Sequence, residues 1–261
     1  MGTESKGPFE RYLKILEVVA ASRDGLQAPD IATVTGFPKP TVYRLCQVLL
    51  DNGAIIADGS RQKSYKIGPR LWRILYLGLD ESEAANYAQV VCDELARELN
   101  ETVYVVRLGL DDISSIARSA PDRGYRLHVF PGSELPAHAA ASAKAILAFQ
   151  DEQTVDRFLK PPLMALTDYT TTDVDAVKRE LELIREQGSA VCDREIDPDV
   201  MAFAAPVKLR NAGVLFSVGV TGPRSRLLER DGDYWIAALK DGSKRLSAAL
   251  DSLRKREGRL Y

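Results

Sequence analysis

Residues 28–52 constrain the fold most, because their pattern predicts two short helices joined by a tight turn. Pro29 suits the first turn of a helix, and Gly36 suits a helix end, where glycine accepts a left-handed backbone. Beyond the turn, apolar residues recur at the i, i+3, i+4 and i+7 spacing of an amphipathic helix, at Val42, Leu45, Cys46 and Leu49. Polar and basic residues lead this second helix or occupy its other side: Lys39, Thr41, Tyr43, Arg44 and Gln47. Helical hairpins in ordinary cores share the spacing, but these side-chain types contact phosphates and base edges, which favours a DNA-binding helix-turn-helix.

A short basic hairpin follows this segment. Residues 54–57 and 62–67 read as two strands around the turn that begins at Asp58-Gly59. Arg61, Lys63 and Lys66 make the hairpin basic. We therefore predict a winged helix-turn-helix, with Arg61 and Lys63 as phosphate contacts in the wing.

The charge distribution agrees with DNA binding only locally. The whole chain has a net charge of −2, but residues 1–70 hold ten basic and seven acidic residues, which leaves −5 for the remainder. Residues 38–70 hold six basic and two acidic residues. Positive charge is thus concentrated on the second helix and the wing. A net +3 is modest, so we expect two or more copies to act together on DNA.

The chain offers little for catalysis. Cys46, Cys92 and Cys192 are far apart, which fits a reduced, cytoplasmic protein without disulfides or a metal site. The two histidines, His128 and His138, lack clustered partners, and no glycine-rich phosphate loop occurs. We expect no cofactor and no enzymatic activity. No run of eighteen apolar residues exists, so we expect no membrane partner.

From residue 81 the pattern changes to a longer series of helices and strands, which predicts one α+β domain. A helix predicted over residues 139–150 begins with the small residues Ala139 to Ala143, so a ligand could approach its start. Before this domain, Leu71, Ile74, Leu75 and Leu79 stripe a helix that has no evident partner in its own chain. Lys144 is expected to face solvent or to be paired.

Three motifs resemble one family. TGFPKPTVYRLCQVLLDNG at 35–53, YKIGPRL at 65–71 and AHAAASAKAILAF at 137–149 are similar to segments of the IclR family of bacterial transcriptional regulators. The resemblance implies an N-terminal winged helix-turn-helix domain (1–68), a linker helix that contributes to dimerisation (69–80), and a GAF-like antiparallel-sheet domain that binds an effector and oligomerises (81–261). One departure is Pro40, where the family usually has a small hydroxyl residue.

The resemblance also implies an effector pocket in the second domain. Carried over by position, its candidate residues are Ala141, Ser142, Asp193, Ala202, Gly219 and Thr221. Arg118 is a plausible counter-charge for an acidic effector, although Asp193 and Glu195 would repel one. Tyr125, Met201 and Phe203 are further candidates for the lining.

The function expected from these observations is a homo-oligomeric regulator, a dimer or a dimer of dimers, that binds operator DNA and a small-molecule effector. It would control uptake or catabolism of a small organic compound, often an organic or aromatic acid. Two alternatives remain open: a ligand-binding enzyme with an accessory DNA-binding domain, and an architectural DNA binder without an effector.

Overall fold

The computed structural model describes residues 7–22, 24–59, 63–121 and 131–257. The polypeptide forms two compact units that divide between Tyr76 and Leu77. The wing residue Arg61, the lining candidate Tyr125, His128 and a strand predicted at 126–130 lie outside the described residues.

The first unit combines helices with a small sheet, as the sequence predicts. Its elements are α1 (Pro8–Ala21), β1 (Leu26–Gln27), α2 (Ala28–Thr35), α3 (Lys39–Asp51), β2 (Ile55–Ala57), β3 (Ser64–Ile67) and α4 (Pro69–Leu77). Strand β3 lies between β1 and β2 and is antiparallel to both. The β2–β3 hairpin is the predicted wing.

The turn between α2 and α3 forms where the sequence places it. Gly36 has a φ of 73°, and its N–H donates to the Ala32 carbonyl oxygen at 3.0 Å, which ends α2. Helix α3 begins after Pro38 and buries Val42, Leu45, Cys46 and Leu49. These side chains join one hydrophobic cluster with α1, α2, β2 and β3, so the periodicity of residues 42–49 is the core face of α3.

The predicted apolar stripe at residues 71–79 is divided in the structure. Leu71 packs against the core of the first unit, whereas α4 ends at Leu77 and Leu79 is buried beyond it. Ile74 and Leu75 are 56% and 52% exposed. Only these two residues keep the exposed apolar character that the stripe suggested.

The second unit is built on a five-stranded antiparallel sheet. Its elements are α5 (Glu81–Leu99), β4 (Thr102–Leu108), β5 (Ile113–Ser119), α6 (Ala141–Leu147), α7 (Glu152–Phe158), α8 (Val174–Gln187), β6 (Ala190–Asp193), β7 (Val200–Leu209), β8 (Gly213–Pro223), α9 (Arg224–Leu227) and α10 (Gly232–Glu257). The strand order is β5-β4-β8-β7-β6. The predicted α+β fold class is confirmed.

Helices cover both faces of this sheet, and side-chain alternation along the strands shows which residues meet which helix. On β7, Phe203 stacks on Trp235 of α10, with ring centroids 6.5 Å apart. On β8, the Ser217 hydroxyl donates to the Ser142 carbonyl oxygen of α6 at 2.9 Å. Phe203 pairs with Val220, so these two side chains share a face. Ser217 lies three residues before Val220 on the same strand, so its side chain points to the opposite face. Helices α10 and α6 therefore lie on opposite faces of the sheet.

In the described part of the chain, none of the helices combines the length and apolar character needed to cross a membrane.

Candidate functional site

The exposed side of α3 carries most of the residues nominated for DNA contact. Lys39, Tyr43, Arg44 and Gln47 are exposed, and Tyr43 keeps 53% of its surface accessible. The Gln47 amide nitrogen donates to a carboxylate oxygen of Asp51 at 2.7 Å, which orients the Gln47 side chain. Thr41 differs because it is half-buried. The structure thus gathers four of the five nominated residues on one accessible surface.

The wing adds positive charge to this unit. Lys63 and Lys66 are both exposed, and Lys66 lies opposite Ile56 in the β2–β3 register. The Asp58 side chain accepts the Ser64 N–H at 2.9 Å and closes the hairpin. Lys66 is thus a second exposed lysine of the hairpin beside the nominated Lys63, and side chains of this type are able to contact phosphates.

A row of side chains on the α6 face of the second unit forms the candidate ligand site. Arg118, Tyr104, Gly219 and Ala204 are cross-strand partners, so their side-chain directions share one face. Thr221, Ala202 and Cys192 form the next row on the same face. The nominated residues Arg118, Ala202, Gly219 and Thr221 therefore point toward α6, which carries Ala141 and Ser142.

Two buried hydroxyls meet at the centre of this site. Tyr104 is buried, and burial raises its pKa to about 12, so the phenol stays protonated at neutral pH. The Ser142 hydroxyl lies beside the phenol but makes no hydrogen bond of ordinary geometry with the described residues. A buried hydroxyl without such a partner is unusual, since buried polar groups are nearly always hydrogen-bonded.

The Tyr104 ring occupies the space beside Gly219, because glycine has no side chain there. A Cβ atom at Gly219 would lie 2.8 Å from Cζ of Tyr104, which is too close for any side chain. The Thr221 hydroxyl is less available to donate a hydrogen bond to a ligand, because it already donates to the Met201 carbonyl oxygen at 3.1 Å. Tyr104 was missed by the sequence analysis. Its signal is a single polar aromatic residue in the apolar run of β4.

Asp193 does not belong to this site, which corrects the sequence-based nomination. It pairs with Met201, and both residues point away from α6, to the face that carries Phe203 and α10. The Asp193 carboxylate instead accepts two hydrogen bonds from Arg224, at 2.6 and 3.2 Å. These bonds hold the pKa of Asp193 below its ordinary value. Met201 and Phe203 are excluded from the lining for the same geometric reason.

The start of α6 is not accessible to a ligand from solvent. Helix α6 has seven residues, from Ala141 to Leu147, rather than the twelve predicted, and all seven are buried. Its small residues let the helix lie directly on β7 and β8. A ligand could reach Ser142 only if the surrounding structure moved.

Lys144 is fully buried and paired, so the solvent-facing alternative is wrong. Its ammonium group lies 2.7 Å from carboxylate oxygens of both Glu180 and Glu195. Burial alone would lower the pKa of Lys144, but the two carboxylates raise it above its ordinary value. The Lys144 charge also neutralises part of the repulsion that Glu195 would exert on an acidic ligand.

The segment of residues 160–172, called the strap below, connects α7 to α8 along the chain. Hydrogen bonds attach it to His138, just before α6, and to residues 194 and 195, just after β6. The ring of His138 forms a hydrogen bond with the Met164 carbonyl oxygen at 2.9 Å. The hydroxyls of Thr167 and Thr170 donate to the carbonyl oxygens of Arg194 and Glu195, at 2.7 and 2.6 Å. His138 thus makes a structural hydrogen bond to the main chain of the strap.

Reactive groups are scarce in the described residues. They contain no cluster of three or more histidine, cysteine or carboxylate side chains able to hold a metal ion. The three cysteines are buried, and burial raises the pKa of Cys46 and of Cys192 to about 11. Such thiols stay protonated at neutral pH and are poor nucleophiles.

A winged helix-turn-helix unit followed by an antiparallel-sheet domain is typical of DNA-binding transcriptional regulators. The comparisons with known proteins agree. The profile described as the IclR helix-turn-helix domain matches residues 9–59, and that of the bacterial transcriptional regulator IclR C-terminal domain matches residues 78–248. The chain therefore belongs to the IclR family of bacterial transcriptional regulators, and it is a regulator rather than an enzyme.

Individual relatives extend over nearly the whole chain. The HTH-type transcriptional regulator Rv1719 of Mycobacterium tuberculosis is 31% identical over 238 residues, which cover 90% of this chain and 89% of that protein. The crystal structure of an IclR regulator from Alicyclobacillus acidocaldarius is 27% identical, with a TM-score of 0.58, and covers 92% of this chain and 96% of its own. An IclR homologue from Microbacterium hydrocarbonoxydans, solved in complex with 4-hydroxybenzoate, is 19% identical with a TM-score of 0.60, and covers 94% and 99% of the two chains.

Proposed function

We propose that this regulator responds to a small organic acid, aliphatic or aromatic, and controls genes for uptake or catabolism of that compound. The observation that carries the proposal is the buried hydroxyl of Ser142, which lacks an ordinary hydrogen-bond partner and lies beside the Tyr104 phenol. Two adjacent hydroxyl donors suit a carboxylate, and Arg118 at the end of the same row supplies positive charge. The homologue that holds 4-hydroxybenzoate supports the same class of ligand.

The strap offers the route by which such a ligand enters. Every residue of α6 is buried, and the strap is tied to both flanks of the site by His138, Thr167 and Thr170. Release of these three hydrogen bonds, and of the Arg194 guanidinium from the Tyr169 ring 3.8 Å away, would open a path to Ser142 without breaking the sheet. A ligand that binds the open form better than the closed form would shift the population between them and so act as an effector.

Residues 1–68 would bind the operator, with Lys39, Thr41, Tyr43, Arg44 and Gln47 at the major groove and Arg61, Lys63 and Lys66 at phosphates. Residues 69–80 would link the two domains, and residues 81–261 would bind the effector and oligomerise. Ile74 and Leu75, both exposed on α4, favour a homodimer or a dimer of dimers. Because its target is chromosomal DNA in a bacterium, we place the protein in the cytoplasm.

A panel of aliphatic and aromatic carboxylic acids, including 4-hydroxybenzoate, tests the effector site. The readout is fluorescence anisotropy of a labelled DNA duplex that the full chain enriches from a random-sequence pool. At least one acid should change the dissociation constant for DNA by about five-fold or more, which is the usual range of allosteric coupling.

Ser142→Ala should abolish this response and leave DNA affinity and thermal stability unchanged, because the Ser142 hydroxyl makes no ordinary hydrogen bond in the free protein. Ser243→Ala is the matched control, since Ser243 is also buried but donates to the Ala205 carbonyl oxygen from α10, on the other face of the sheet. A normal response in Ser142→Ala would place the effector site elsewhere. A panel in which no acid has any effect would favour an architectural DNA binder.

A further inference from the structure

The leading turn of α3 exposes a residue that can make only apolar contacts. Pro40 is the second residue of α3, and its side chain is exposed. It lies four residues before Arg44 and seven before Gln47, so the three side chains share the exposed face of the helix. In helix-turn-helix proteins, the N-terminal residues of this helix are those that reach base edges. Pro40 is therefore at the position where sequence reading begins.

The backbone around Pro40 has little to offer a base or a phosphate. Proline has no N–H, and the N–H groups of Thr41 and Val42 both donate to the Pro38 carbonyl oxygen, at 2.9 and 3.1 Å. No side chain caps this end of the helix. A hydrogen bond from the leading turn to a polar base edge is thus unavailable at Pro40.

The major groove presents one apolar group, the C5-methyl of thymine. We propose that Pro40 contacts a thymine methyl in each operator half-site and so sets the base preference there. Arg44 reads a guanine in the same half-site. Four residues separate Pro40 from Arg44, about 6 Å along the helix axis, so the thymine lies within about two base pairs of the guanine. This inference rests on the DNA-contacting face of α3 proposed above.

Deoxyuridine substitution tests the contact, because deoxyuridine differs from thymidine only by the missing methyl group. The full chain first enriches duplexes from a random-sequence pool. Each thymine of the enriched site is then replaced in turn, and the dissociation constant is measured by anisotropy. For the wild-type protein, one thymine per half-site should show a loss of about four-fold, the effect of exposing one methyl group.

The protein variants assign that methyl contact to a residue. Pro40→Ser should bind the thymine and deoxyuridine duplexes equally, because its side chain no longer packs on the methyl group. Pro38→Ser is the matched control, since Pro38 is exposed just before the helix and should keep the four-fold difference. Val48 is the other exposed apolar residue on this side of α3, and Val48→Ser should also keep the four-fold difference. Circular dichroism of each variant checks that α3 still forms.

Two results would overturn the inference: no thymine whose methyl group matters, or a four-fold difference that persists in Pro40→Ser. Loss of the difference in Val48→Ser instead would assign the methyl contact to Val48 and equally exclude Pro40. The proposed interface fails separately, if Arg44→Ala binds the enriched duplex as tightly as the wild type. A weakened Arg44→Ala together with silent deoxyuridine substitutions would leave the interface intact and remove only the role of Pro40.

Discussion

Helices α3 and α6 carry the two candidate sites, and they differ in how much of their surface is free. Helix α3 buries one side in the core of its unit and exposes the other, whereas every residue of α6 is buried. Under the proposed function, DNA would dock on α3 as it stands, while a ligand would reach Ser142 only after a rearrangement. The comparison separates an exposed helix surface from a buried one.

The largest expected effect tests whether α6 is held firmly. Lys144→Ala removes the only cation between Glu180 and Glu195 among the described contacts and leaves two uncompensated carboxylates near the core. We expect the free energy of unfolding of the second unit to fall by about 3–5 kcal/mol. Urea unfolding of a Trp72→Phe background measures this, because Trp235 then remains as the only tryptophan and is buried in that unit.

Lys178→Ala is the control for this measurement. Lys178 pairs with Asp156 at 2.6 Å, but neither side chain is buried (34% and 55% exposed), whereas Lys144 is fully buried, so the loss of stability should be much smaller than for Lys144→Ala. Replacing Lys144, Glu180 and Glu195 together by Met, Gln and Gln should recover part of the loss. An equal, small effect of Lys144→Ala and Lys178→Ala would mean that α6 is loosely held and its site already accessible.

The next effect concerns the exposed side of α3. Arg44→Ala should weaken binding to the enriched duplex by about 1–3 kcal/mol without changing stability, because Arg44 is exposed and can reach a guanine edge with two hydrogen bonds. Arg44→Lys keeps the charge but loses the paired geometry, so it should recover affinity for unrelated DNA more than for the enriched site. Arg210→Ala, an exposed arginine of the second unit, should leave binding unchanged.

The wing should contribute charge without sequence preference. Removing both exposed lysines, Lys63→Ala with Lys66→Ala, should reduce the slope of log affinity against log salt concentration by about two units. Binding to enriched and scrambled duplexes should weaken by the same factor. A change in base preference with an unchanged slope would show that the wing reads bases.

The smallest effect tests whether Asp193 lies outside the ligand site. Arg224→Gln removes the closer of the two arginine partners of a half-exposed carboxylate and leaves Arg194 at 3.4 Å, so stability at neutral pH should fall only slightly. The pair lowers the pKa of Asp193, so its contribution is present above the ordinary carboxyl pKa and is lost as pH falls through the lower folded value. Unfolding curves of variant and wild type should therefore begin to converge as pH falls below about 4 and should coincide once pH is below the lowered folded pKa. An altered effector response in this variant would return Asp193 to the site.

The sequence predicts α3 well because its apolar residues obey one period. Buried Val42, Leu45, Cys46 and Leu49 recur at helical spacing, and the exposed side follows by elimination. The sequence of α6 has no comparable periodicity. Because a run of alanines has no polar side, it does not indicate which residues of the helix are buried. Its predicted length was too great, and the burial of Lys144 depends on Glu180 and Glu195, which are distant in sequence.

The error at Asp193 has a different origin. Position in a motif nominated it, but neighbouring residues of a strand face opposite ways, so Cys192 and Asp193 cannot both point toward α6. Strand alternation alone shows that Cys192 and Asp193 lie on opposite faces, but not which of the two faces α6. The assignment of a face needed the contact between Phe203 and Trp235, which no local pattern reveals.

Three hydrogen bonds of the strap end on main-chain carbonyl oxygens, in addition to the stacking of the Arg194 guanidinium 3.8 Å from the centroid of the Tyr169 ring. Thr167 and Thr170 bind the carbonyl oxygens of Arg194 and Glu195, and His138 binds that of Met164. Every amino acid carries a carbonyl oxygen, so substitutions at residues 164 and 194 leave these three hydrogen bonds in place, although a substitution of Arg194 removes its contact with Tyr169. Under the proposed function, descendants of this chain could therefore change the side chains at these positions, and with them the compound recognised, while the hydrogen bonds that hold the strap are kept.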